Sequence, residues 1–184
     1  MKQPESYVNF EVYENAKMFC GVTQATLPNI QFIVQTISGA GIGGNVETIL
    51  PGMTEAMSLT LNFRTVTNNA ISLCAPKLHN IDLRIAEQQG DTVNVSKSII
   101  ADKYVMSVIP KQTNLGNVAP ASPADASGEY SVQVLKAYRA GKLVMDIEPY
   151  NYKCIINGTD VLSLSENKRT SFRFRRSRPT SGSP

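Results

Sequence analysis

The chain has no tryptophan, one histidine, three cysteines and only 18% charged residues over 184 positions. Each shortage excludes something. His79 is alone, and Cys20, Cys74 and Cys154 are widely spaced with no CxxC pair, so no zinc site with nitrogen and sulfur ligands is expected. The opening MKQPESYVNFEVYE lacks an apolar h-region, so no signal peptide is expected. Without a secretory route, the sequons at Asn94 and Asn157 carry no meaning. The charge-free stretch from Gly21 to Val46 contains Gln24, Pro28, Asn29, Gln31 and Gln35, which would be costly in hydrocarbon, so it is not a membrane span. The chain reads as cytosolic, reduced and soluble, with no membrane anchor.

What is present suits one well-cored domain: 42% apolar residues, 12 glycines and 10 prolines. That composition excludes a disordered chain, a coiled coil and a collagen-like repeat. The net charge of +3 is unevenly placed. Residues 166–184 hold six basic side chains against Glu166, a net +5, which leaves the rest of the chain at −2. The expected division is a β domain over 1–165 and a basic, flexible extension over 166–184.

Strand signals dominate. Tyr7–Tyr13 alternates, Asn29–Ile37 is β-branched, and Ser58–Phe63 places Leu59, Leu61 and Phe63 on one face. Asn80–Ala86 alternates, Gln88–Asp91 is expected to turn, and 93–109 holds one or two strands. In the last third, Tyr130, Val132, Val134 and Tyr138 are expected to share a face. Ala140-Gly141 turns that strand back, and Asn157-Gly158 makes a tight hairpin. One short helix is capped by Thr67 or Asn68 and limited by Pro76. The fold class is mainly β: an antiparallel β-sandwich or barrel of about eight strands, with one short helix. Two long loops, near 38–56 and 110–128, exceed the length a compact domain tolerates without a role.

Catalytic chemistry is absent. His79 has no serine or cysteine motif beside it and reads as structural. Asp82 and Glu87 read as solvent-face residues, and no paired carboxylates, cofactor site or metal site is expected. Gly39, Gly41 and Gly44 satisfy G-x-G-x-x-G after an apolar strand, but Pro51 stops any helix and no βαβ unit follows. This segment, with Ile42, Gly43, Asn45 and Pro51, reads instead as a contact loop too glycine-rich to hold itself. Arg169, Arg173, Arg175, Arg176 and Arg178, interleaved with Phe172 and Phe174, form an arm suited to nucleic acid or a protein partner, or simply to solvent.

Taken in order, these elements resemble the major tail tube proteins of contractile-tailed phages and R-type pyocin-like bacteriocins. The resemblance runs from about Val8 to Leu164. It rests on Val12-Tyr-Glu-Asn-Ala-Lys17, Gly21-Val22, Leu27-Pro28, Gly39-Ala-Gly41 with Gly44-Asn45, and Ser58–Phe63. The short helix, the long polar loop, Gly141-Lys142-Leu143 and the closing Asn157-Gly158 complete it. The arginine-rich end departs from the family pattern.

The resemblance implies a structural subunit without cofactor. Six would form a ring, rings would stack into a rigid tube inside a contractile sheath, and the inner sheets would join into one continuous barrel lining the channel. Implied partners are further copies, the sheath, tape-measure and baseplate proteins, and DNA crossing the lumen in a phage. Assembly would occur in the bacterial cytoplasm and the mature location would be a virion or bacteriocin tail. Neutral Gln, Thr and Asn would suit a wall past which cargo slides. Tubes of type VI secretion or of non-contractile tails, and a β-barrel nucleic-acid module using the basic arm, are the alternative readings.

Overall fold

A computed structural model describes the chain except Met1, Ala16, Lys17, Ala40, Ile42, 92–96 and 163–184, and omits the side chains of Lys2, Met18 and Phe19. The strands are β1 (Lys2–Glu14), β2 (Met18–Phe19), β3 (Val22–Thr26), β4 (Phe32–Ile37), β5 (Val46–Thr54) and β6 (Met57–Phe63). After helix α1 (Asn68–Ser72) come β7 (His79–Asp91), β8 (Lys97–Asn114), β9 (Ala126–Arg139), β10 (Lys142–Glu148), β11 (Lys153–Ile156) and β12 (Thr159–Asp160).

The main sheet is antiparallel, in the order β12-β11-β10-β9-β8-β7-β1-β2. It divides at β9. Along one edge β9 pairs with β8, while on the other its first half, Ala126–Val132, pairs with β6 and its second half, Leu135–Arg139, pairs with β10. β3 extends the β6 branch. The two branches bury one core: Met57, Leu59 and Leu61 of β6 lie in the same cluster as Val12, Ile81, Leu83, Met106, Leu135, Ile147 and Cys154. This is the sandwich expected from the sequence, and the described residues form no closed barrel.

Local chemistry accounts for most of the elements. Met57, Leu59, Leu61 and Phe63 are all buried, as alternation requires. Ala140-Gly141 and Asn157-Gly158 both take positive φ at both positions, the type I′ geometry that matches strand twist. Thr67 caps α1 by accepting from the Ala70 backbone N–H at 3.2 Å, and Ala70 and Leu73 are buried while Ile71 is exposed. Gly128 stands inside β9 because the Tyr130 ring lies across it: a Cβ there would come 2.3 Å from the Tyr130 hydroxyl.

Four expectations are corrected. The loop expected over 38–56 is short, because Val46–Thr54 pairs with β4 as a hairpin forming its own two-stranded sheet. The second long loop shrinks to 115–125, since β8 reaches Asn114 and β9 begins at Ala126. Gln88–Asp91 continues β7 rather than turning. Finally, Val134 and Tyr138 do not share a face with Tyr130. Val108 pairs with Val132 but Ser107 with Val134, so Gln133 is an extra residue and the bulge moves Leu135 and Ala137 onto the core face.

Candidate assembly surfaces

The β4–β5 hairpin is the most exposed element of the body. Register pairs Val34 with Ile49 and Ile37 with Val46, yet Val34 is 50% and Ile49 54% exposed, with Ile33, Ile37, Val46 and Met53 exposed as well. At its tip stand Gly39, Gly41, Gly43, Gly44 and Asn45; Ile42 lies outside the described residues. Only Gly41 among these glycines needs positive φ, at 95°, and a Cβ on any of the four would meet nothing within 4 Å. Because β5 runs antiparallel straight back along β4, the G-x-G-x-x-G string opens no helix and supports no dinucleotide site. Pro51 lies within β5 rather than in a loop, which is tolerable because β5 has β4 as its single strand neighbour. The hairpin is tied to the body at Gly52, whose φ of 71° and missing Cβ admit the buried Leu162 side chain.

A second exposed feature is the edge of β1. One side pairs with β7 from Lys2 to Glu14, but on the other β2 covers only Tyr13 and Glu14. Tyr7 and Val8 on this strand are exposed. A long edge with open N–H and C=O groups is a template for another strand.

The core face contains two buried polar sites that sequence reasoning missed. At one end, His79 is fully buried; its Nδ1 lies 2.6 Å from Glu14 Oε1 and its Nε2 3.0 Å from the Ala75 carbonyl oxygen. A carbonyl can only accept, so Nε2 carries a proton and the ring is held between Ala75 and Glu14. The Ser72 hydroxyl donates to Glu14 Oε2 at 3.3 Å. Cys20 is buried beside this site, and burial, with Glu14 second, pushes its thiol up to about 11, which makes it a poor nucleophile. At the other end Arg139 donates to both oxygens of Glu87, at 3.0 and 3.1 Å. Asp102, opposite Arg139 in register, has its carboxyl raised chiefly by burial. Glu87 is therefore a core-face residue and not a solvent-face one, because its counterion arrives from β9, 52 residues away.

The opposite face of the main sheet is ionic. Asp82, expected to be solvated, is buried beneath Lys103 at 3.0 Å and Arg84 at 3.6 Å. Asp146, also buried, is paired with Lys153 and with Lys136 at 3.8 Å, and Lys136 reaches Glu148 at 2.7 Å. Glu11 stands opposite Arg84 in register and accepts from the Tyr13 hydroxyl at 2.5 Å, while Arg84 covers the Tyr13 ring at 4.7 Å. A signal for this face exists in the sequence, as charged residues two apart (Asp82/Arg84 and Asp146/Glu148) on alternating strands. Among the described residues no group of His, Cys, Asp and Glu is placed to hold a metal ion. The arm residues Arg169, Arg173, Arg175, Arg176 and Arg178 lie outside the described residues.

Comparison with known proteins agrees with this architecture. No curated protein sequence matches the chain. Among solved structures, the chain is similar to the sheath/tube terminator of an extracellular contractile injection system, PVC, in its extended state. That match has a TM-score of 0.53 at 10% identity and covers 74% of this chain and 97% of the other. A chain of the PVC sheath-tube complex matches with a TM-score of 0.49 at 10% identity, over 71% and 88%. Residues 4–168 match the family described as Phage tail tube protein FII, and the chain belongs to that family of structural proteins.

Proposed function

We propose that this chain is the building block of the inner tube of a contractile tail. Six copies form a ring, rings stack into a hollow conduit, and contraction of a surrounding sheath drives the conduit through the target envelope. The observation that carries this reading is the β4–β5 hairpin. An isolated two-stranded hairpin is marginal in water, and this one exposes six large apolar side chains on a body that is otherwise well cored. Packing against the ring above or beside it supplies the missing partner. The open edge of β1 supports the lateral contact, since continuing the sheet into the next subunit satisfies its backbone groups and leaves no free edge in a closed ring. Burial of about 2,000–5,000 Å² per contact suits such an obligate assembly.

Sheath, tape-measure and baseplate proteins are the partners this role implies, with DNA in the lumen if the particle is a phage. Gly39, Gly41, Ile42, Gly43, Gly44, Asn45 and Pro51 belong to the ring-to-ring contact. The arm from Arg169 to Arg178 is assigned to the sheath or to nucleic acid; loss of salt-dependent DNA affinity on deleting 169–184 would select the latter.

Negative-stain electron microscopy of the concentrated chain, held for days, tests the proposal. Hollow tubes or six-fold rings support it, whereas monomers alone, even after co-expression with its baseplate, contradict it. Gly43→Val/Gly44→Val should leave the subunit folded by circular dichroism and abolish stacking.

A further inference from the structure

The β4–β5 ribbon needs cover on two faces, not one. Register pairs Val34 with Ile49 and Thr36 with Glu47, so these side chains share a face. Ile37 pairs with Val46 on the opposite face, where alternation also places Ile33. All five apolar side chains are exposed. A neighbouring ring closes one face, and the other then needs a second layer. Glu47 is the one charged side chain on the two strands, and it is exposed. Residues 18–63 as a whole hold Glu47 and Glu55 and no Lys or Arg. The basic surplus lies elsewhere, in residues 166–184, with six basic side chains against Glu166.

We infer that the chain's own arm, 169–178, supplies the second layer, lying along the face of Val34, Ile49 and Glu47. The inference rests on the tube reading above for the cover of the opposite face. Leu162 fixes where the arm departs. It meets the hairpin at Gly52, and it belongs to the core against which Phe32, on the face of Val34, is packed. Ten residues from Leu162 to Phe172 reach about 33 Å, whereas Gly52 and Glu47 are at most about 18 Å apart along β5. Leaving the body there, the arm runs toward the hairpin tip, antiparallel to β5. Laid extended, it puts Phe172, Phe174 and Arg176 on one side and Arg173 and Arg175 on the other. Toward the tip Ile49 precedes Glu47 by two positions, as Phe174 precedes Arg176. Phe172 and Phe174 thus cover Val34 and Ile49, and Arg176 reaches Glu47. Arg173 and Arg175 face outward, toward the sheath or nucleic acid. The main sheet offers no equal place, since its buried Asp82 and Asp146 already have lysines of the same sheet beside them. In the free subunit, where the opposite face is bare, the ribbon holds the arm only intermittently.

Ile49→Cys/Phe174→Cys tests the contact under mild oxidation, in free subunits and in tubes. Ile37→Cys/Phe174→Cys probes the opposite face as the control. Both pairs are placed in a Cys74→Ser background, since Cys20 and Cys154 are buried. The first pair should form a same-chain disulfide at least about tenfold faster than the control, read as a faster-migrating band on a non-reducing gel. The bond should form more slowly in free subunits than in tubes. Equal rates for the two pairs, or no bond, would overturn the inference. Tubes mixed from Ile49→Cys subunits and Phe174→Cys subunits should yield monomers; crosslinked dimers would assign the arm to a neighbouring copy and overturn it. Glu47→Arg should slow the same-chain bond about fivefold, and Glu47→Arg/Arg176→Glu should restore it. Lack of rescue would overturn the pairing of Arg176 with Glu47. If no tubes form, the assembly reading falls, and the two rates in free subunits still decide where the arm lies.

Discussion

Leu162 occupies the space that a side chain on Gly52 would need. A Cβ on Gly52 would lie 2.2 Å from Leu162 Cγ, and the backbone there has a φ of 71°. The exposed hairpin is thus tied to the body at Gly52 by Leu162, in addition to the packing of Phe32 against the core.

Gly52→Val should therefore do two things. Overpacking and left-handed strain together cost about 2–4 kcal/mol, seen as a lower urea midpoint with an unchanged slope. It should also move the hairpin and reduce tube formation in proportion to the mutant fraction mixed with normal subunits. Unchanged stability would show that Leu162 moves aside freely.

Such locking was only partly legible in the sequence. Alternation gave β6, and the two turns with positive φ gave the closing hairpins, because those signals lie within a few residues. Pro51-Gly52 read as loop because proline and glycine usually end strands, whereas an edge strand of a hairpin accepts both. Glu87 and Asp82 read as solvated because their cations, Arg139 and Lys103, sit on other strands. The extra residue at Gln133 has no local marker; only the pairing of β8 with β9 reveals it.

The Glu14–His79 pair gives a second prediction. Removing one partner leaves the other buried and uncompensated, so His79→Leu should cost about 3–5 kcal/mol, while Glu14→Leu/His79→Leu should cost clearly less than the sum of the single changes. Additive losses in a double-mutant cycle would refute the coupling.

Tyr130→Phe should stabilise the fold. The Tyr130 hydroxyl is buried against Gly128 without a hydrogen-bond partner, and burial raises its pKa strongly. Deleting it removes an unsatisfied polar group worth about 1 kcal/mol, raising Tm by a few degrees. A lower Tm would mean that the hydroxyl contributes to the native state.

Acid should destabilise the protein partly through Glu148. Hydrogen bonds from Lys136 first and Asn151 second hold its carboxyl down to about 2. A folded-state value below the unfolded one contributes stability that is full above about pH 4.5 and is lost as pH falls toward 2. Asp102, raised by burial, acts in the opposite sense and favours folding as it protonates. Glu148→Gln should thus lower stability at pH 7 by about 1–2 kcal/mol and flatten the decline below pH 4.5. An unchanged acid limb would contradict the assignment.

The most direct test of the central claim is amide hydrogen exchange of the hairpin, Phe32–Ile37 and Val46–Thr54, in the free subunit and in assembled tubes. The account predicts rapid exchange in the free subunit and protection at least about 100-fold greater in tubes, with the β8 and β9 amides protected in both states. Equal hairpin exchange in the two states would contradict it, because the apolar side chains the hairpin exposes in the subunit would then be uncovered in the tube as well.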